Sequence, residues 1–157
     1  MVVGVGWTQA GGVALLLASA LDMLDGAVAR ATGTASPFGA FLDSVADRYS
    51  EAAMWMALVI VFAQKNDALL VAGSVLAMAG SLLVSYARAR AEGLGLDCEV
   101  GWFQRPERVV ALALGLMVPD LLLGPVVWLL AIVTNVTVVQ RVLHVRRLLS
   151  ERGRSGL

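Results

Sequence analysis

Five apolar stretches, each near the length that a bilayer core demands, leave this chain few folds other than a bundle of membrane helices. They run over about 2–31, 38–64, 68–92, 106–119 and 121–145, and a span needs roughly 20 apolar residues. Composition agrees: 59% of the 157 residues are hydrophobic and the mean hydropathy is +0.79, well above a soluble domain. The expected fold is all-α, a polytopic membrane helix bundle. It forms one domain over 1–149, with a basic cytoplasmic tail over 150–157. The fourth stretch is short for a separate span, and Pro119-Asp120 reads as a tight turn before the fifth. Gly93–Gly101 is the only sizeable polar loop. Gly73, Ser74, Ala77 and Gly80 are small enough to let helices approach closely.

Several function classes fall away at once. The formal net charge is zero, so no bulk attraction to nucleic acid is implied. The single cysteine, Cys98, excludes an internal disulfide and a cysteine zinc site; it reads as an inert loop residue. No basic segment precedes the first apolar stretch, so no signal peptide is expected. Trp7, Trp55, Trp102 and Trp128 read as interface or packing aromatics.

Against this apolar background stand two aspartate ladders. Asp22, Asp25, Gly26, Ala29 and Arg30 fall at i, i+3, i+4, i+7 and i+8, one face of a helix. Gly39, Asp43 and Asp47 fall at i, i+4 and i+8, again one face. Carboxylates at membrane depth are costly and mark function by default. The connector Ala31–Ser36 is short, which makes the two helices antiparallel neighbours. Ser36 suits an N-cap and Pro37 the first helical position. The four aspartates then converge near one membrane surface.

Basic residues give the orientation. Arg30, Arg88, Arg90, Arg105, Arg108, Arg141, Arg146, Arg147, Arg152 and Arg154 share one side if the spans alternate, and Arg48 leans the same way. The other side holds only Lys65. The ladders and the C-terminus therefore face the cytoplasm, and an odd number of spans puts Met1 outside. Glu51, one turn after Asp47, extends the polar stripe and is expected to pack against Arg48 or another polar group.

Facing carboxylates suit hard divalent cations. Mg²⁺ and Mn²⁺ take oxygen ligands and bridge them to substrate phosphates, and a metal pair can clamp a pyrophosphate. Gly26 and Gly39 leave the backbone open to close approach, and Arg30 can fork a phosphate. This chemistry is phosphoryl-type transfer at a membrane surface. Asp-Arg networks can also be purely structural, but Arg30 and Arg48 are too few to neutralise four acids.

Asp22-x-x-Asp25-Gly26-x-x-Ala29-Arg30, eight residues, then Gly39-x-x-x-Asp43-x-x-x-Asp47 resembles the signature of the CDP-alcohol phosphotransferases. The likeness extends over about residues 13–149. It implies a homodimeric membrane enzyme that moves a phosphatidyl group from a CDP-linked lipid, such as CDP-diacylglycerol, to an alcohol and releases CMP. It implies that Asp22, Asp25, Asp43 and Asp47 hold Mg²⁺ or Mn²⁺ and that Asp47 is the general base. Gly26, Ala29, Arg30 and Gly39 would line the CDP site. Members of this family have six membrane helices, one of them before the first ladder. That helix is expected to be missing here.

Ser85-Tyr86-Ala87-Arg88-Ala89-Arg90-Ala91-Glu92-Gly93 and Arg105-Pro106-Glu107-Arg108 resemble the branch that makes phosphatidylinositol phosphate. By that resemblance Arg88, Arg105 and Arg141, with Arg108 as a further member, hold the phosphate of a small phosphorylated alcohol, inositol phosphate. Glycerol 3-phosphate, as in phosphatidylglycerophosphate synthesis, is the alternative acceptor. Arg146, Arg147, Arg152 and Arg154 read as a tail near anionic headgroups. An intramembrane prenyltransferase also uses aspartate-rich helices, but with other spacings and without Asp-Gly-x-x-Ala-Arg. A cation transporter would distribute its acids along a path across the membrane, whereas these cluster toward one face.

Overall fold

The computed structural model describes residues 36–101 and 105–155, together with 10, 12–15 and 17. Every element among them is helical: α1 (Pro37–Gln64), α2 (Ala68–Glu92), α3 (Arg105–Met117), a π-helical turn (Pro119–Leu123) and α4 (Gly124–Ser155). The first ladder, with Asp22, Asp25, Gly26, Ala29 and Arg30, lies outside the described residues, as do Trp7 and Trp102.

Local chemistry sets the helix ends. Ser36 is extended, its Oγ accepts a hydrogen bond from the Gly39 amide at 3.0 Å, and Pro37 opens α1, as the sequence predicts. At the other end Asn66 takes a positive φ of 56°. Asp67 then caps α2 by accepting from the Leu70 amide at 3.0 Å. This tight Lys65–Asp67 connection turns α2 back along α1. A glycine-terminated motif closes α2: Gly95, at φ 67°, donates to the Glu92 carbonyl (2.9 Å), and Leu96 donates to Ala91 (3.0 Å). Leu96 also packs on Ala91 and Cys98, the apolar contact that accompanies such a cap.

Helices α2 and α4 run parallel. Gly73 lies against Val127, and Gly80 against Thr134, so both helices advance seven residues between the two contacts. Buried Gly73, Ala77, Gly80 and Val84 on α2 face buried Val127, Leu130, Thr134, Thr137 and Arg141 on α4. Their alternating three- and four-residue steps form a coiled-coil-like seam. The small-residue face expected from the sequence is therefore in use. Its hydroxyls bond within their own helices, Ser74 to the Leu70 carbonyl and Thr134 to the Leu130 carbonyl, both at 2.8 Å. Asn135 crosses the seam to the Leu76 carbonyl at 3.2 Å. Trp55, Leu58 and Phe62 of α1 join Leu112 and Leu116 of α3 in the main core, so Trp55 is a packing aromatic.

Two helical segments, Ala68–Glu92 and Pro119–Arg154, are long and apolar enough to cross a membrane. α1, at 28 residues, has the length, about 42 Å at 1.5 Å per residue, but carries Asp43, Asp47, Arg48 and Glu51 between its start and its middle. α3 has 13 residues and reaches only about 20 Å, short of a bilayer core of roughly 30 Å. Two boundaries differ from the sequence reading. The chain reverses at Val118 (φ −127°, ψ 63°), and Pro119 begins the following helical turn because a proline suits a helix start. α4 then continues through Ser155, where hydropathy ended the span near 145. Its polar last turns dock on the 93–101 loop: Arg152 donates to the Gly95 carbonyl (2.6 Å), and His144 Nε2 lies 3.3 Å from the Asp97 carbonyl.

Candidate functional site

The start of α1, the end of α2, the start of α3 and the middle of α4 meet around a polar cavity of about 340 Å³. Ser44 and Arg48 come from α1, Ser85, Arg88 and Glu92 from α2, Arg108 from α3 and Arg141 from α4. Helical period explains the convergence. Ser44 and Arg48 are one turn apart, as are Arg88 and Glu92. Three of the arginines singled out in the sequence, Arg88, Arg108 and Arg141, thus share one wall. Arg105 opens α3, but its side chain lies outside the described residues.

Each arginine is held differently. Arg141 is buried and donates from Nε to the Val100 carbonyl (2.9 Å) and from Nη1 to the Val84 carbonyl (2.6 Å). It braces the loop and α2 while lining the cavity. Arg108 is buried and meets Glu51 at 3.4 Å, so Glu51 finds its polar partner on α3 and not in Arg48. Arg88 is ion-paired to Glu92 and Glu99, both at 2.8 Å. Arg48 Nη2 donates to Asp47 Oδ2 at 3.4 Å.

On the ladder face of α1, Asp43 is exposed and Asp47 is partly buried, one turn deeper. Gly39 is exposed at the helix start, where a Cβ would come within 3.0 Å of Ser36 Oγ. Among the described residues no cluster of three or more metal-ligating side chains occurs, and the described half of the aspartate set consists of Asp43 and Asp47. Their donors are carboxylate oxygens only, the type that hard divalent cations take.

Sequence reasoning missed Arg48 and Glu92 in the cavity lining and Glu99 as a partner of Arg88. Arg48 reads in the sequence as an orientation marker and a neighbour of the acids, not as part of a cationic wall. Its signal is the Ser44–Arg48 spacing, a second stripe beside the aspartates. Glu92 stands four residues after Arg88, a helical spacing that the sequence does display, whereas Glu99 carries no signal of its own, because its role is defined by where the 93–101 loop returns. Cys98 is fully buried in that loop. Burial pushes its thiol up from the ordinary range, against the opposing pull of Arg141 and Arg88, which fits an inert residue.

A phosphatidylinositol phosphate synthase from Mycobacteroides abscessus is 38% identical over 143 residues, covering 87% of this chain. The chain spans 64% of that relative's length. A crystal structure of Mycobacterium tuberculosis phosphatidylinositol phosphate synthase with CDP-DAG bound superposes with a TM-score of 0.82 at 35% identity, covering 88% of this chain and 73% of that one. The same enzyme in complex with manganese and citrate gives a TM-score of 0.83 at 36% identity, covering 88% and 70%. The family model for CDP-alcohol phosphatidyltransferase matches residues 1–143. This chain, a helical membrane protein, belongs to the CDP-alcohol phosphatidyltransferase family.

Proposed function

We propose that this chain transfers a phosphatidyl group from CDP-diacylglycerol to inositol phosphate, forming phosphatidylinositol phosphate and releasing CMP. The observation that carries the acceptor is the cavity where Arg48, Arg88, Arg108 and Arg141 meet beside Asp47. Four guanidinium groups around one polar space favour a phosphorylated acceptor over serine, ethanolamine or a free polyol. The names of the relatives point to the same product.

In this reading Asp22, Asp25, Asp43 and Asp47 hold Mg²⁺ or Mn²⁺, which supplies positive charge to the pyrophosphate of the donor. Gly26, Ala29, Arg30 and Gly39 line the CDP site. Asp47 takes the proton of the acceptor hydroxyl as that oxygen attacks the lipid-side phosphorus. Arg88, Arg105, Arg108 and Arg141 hold the acceptor's own phosphate. The cavity opens toward the cytoplasm of a prokaryotic cell, the side rich in arginine, and the enzyme works as a homodimer.

The test is an acceptor profile. Purified protein is given CDP-diacylglycerol, Mg²⁺ and, in turn, inositol phosphate, glycerol 3-phosphate, inositol and serine, and CMP release is followed. Release confined to inositol phosphate is the expected result. Preference for glycerol 3-phosphate or an uncharged alcohol overturns the acceptor assignment.

A further inference from the structure

Arg88 reaches the cavity with one edge already taken. Its Nε donates to Glu92 Oε1 and its Nη2 to Glu99 Oε1, both at 2.8 Å. These two donors lie side by side on the guanidinium and form the fork that a phosphate can grip with two oxygens. Here two carboxylates from different places divide it. Glu92 stands one turn further along α2, on the cavity wall. Glu99 comes from the loop after α2.

The two carboxylates are not equivalent. Glu92 is tied to Arg88 by helical spacing. Glu99 is the more exposed, at 67% against 51%, and exposed pairs of this kind are weak. Its neighbours are fixed: Cys98 is fully buried, and the Val100 carbonyl accepts from Arg141. Rotation of the Glu99 side chain alone frees half of the fork, with no movement of the loop.

We infer that Glu99 is a displaceable anionic latch on Arg88, occupying the guanidinium edge that the acceptor's phosphate takes during turnover. This rests on the reading that Arg88 receives an acceptor phosphate. A phosphate brings more charge and more acceptor oxygens than one carboxylate, so it displaces Glu99. A neutral alcohol does not. The latch therefore tempers phosphate binding at Arg88 and keeps the guanidinium paired whenever no phosphate is bound.

The experiment measures binding of inorganic phosphate to the purified full chain by titration calorimetry, at fixed ionic strength. The wild type is compared with Glu99→Gln, Arg88→Gln and the double variant. Glu99→Gln is expected to bind phosphate roughly two- to fivefold more tightly, the range that one exposed ion pair covers, and the double variant no more tightly than Arg88→Gln. Unchanged or weaker binding by Glu99→Gln overturns the latch, and so does absence of binding in both wild type and Glu99→Gln. A gain that persists without Arg88 also overturns it, since that is a general charge effect. If the latch behaves as expected but inositol phosphate is not turned over, the acceptor assignment fails and the latch stands.

Discussion

Glu51 on α1 and Arg108 on α3 meet at 3.4 Å with only 9% and 5% of their side chains exposed. The pair ties the aspartate helix to the cationic wall. A buried pair contributes little net, but removing Arg108 strands the buried Glu51 carboxylate. Arg108→Ala should cost about 3–5 kcal/mol. Glu51→Leu combined with Arg108→Met should cost less than that. Thermal unfolding in detergent measures this, and a larger loss in the double variant would show that the two do not act as a pair.

The aspartates should separate by role. Asp47→Asn keeps the side-chain shape but cannot take a proton, so transfer should fall by about 100-fold or more. Asp43→Asn should chiefly raise the Mg²⁺ concentration needed for half-maximal rate. CMP release across a Mg²⁺ titration reads both. Near-wild-type rates in both variants would remove the carboxylates from the chemistry.

Arg88→Ala should raise the KM for inositol phosphate far more than that for the CDP-lipid. One charge-assisted contact is worth about 1.5–3 kcal/mol, or roughly 10-fold and upward in affinity. Equal effects on both substrates would place Arg88 in the scaffold.

The α2–α4 seam should resist added volume. A Cβ on Gly80 would collide with the Thr134 hydroxyl and come within 2.8 Å of Asn135 Nδ2. Gly80→Ala should therefore destabilise by about 1–3 kcal/mol, and Thr134→Ala in the same chain should recover part of the loss. Unfolding midpoints of the two variants test this.

Cys98 should respond weakly to pH. Its thiol is raised by burial, so at any given pH less of it is thiolate than in an exposed cysteine. Alkylation of the native protein should stay slow at pH 8 and become fast in denaturant. Rapid native labelling would contradict the buried placement.

Much of this was legible in the sequence where the cause is local. Ser36 and Pro37 mark the start of α1 because capping needs only neighbours three residues away. Ala68–Glu92 is framed by Asp67 and the Gly93–Gly95 turn for the same reason. The α4 end was not legible: Arg146 to Arg154 end an apolar run, yet the helix persists by docking on the loop, which no hydropathy pattern records. Arg88, Arg108 and Arg141 could be proposed together from their type. That Arg141 spends two donors on backbone carbonyls, and that Glu51 answers Arg108, are relations between segments distant in the chain.

The parallel seam of α2 and α4 has a consequence for the chemistry at its far end. Gly73 and Gly80 mesh with Val127 and Thr134 like teeth on a vernier scale, and the same scale ends where Arg141 meets the Val84 carbonyl. Sliding one helix by a single turn would shift Arg141 about 5.4 Å relative to Arg88. The gap between these arginines is thus gauged in the apolar interior, by residues that touch no substrate. Variants that loosen the glycine contacts should blur acceptor choice before they abolish folding.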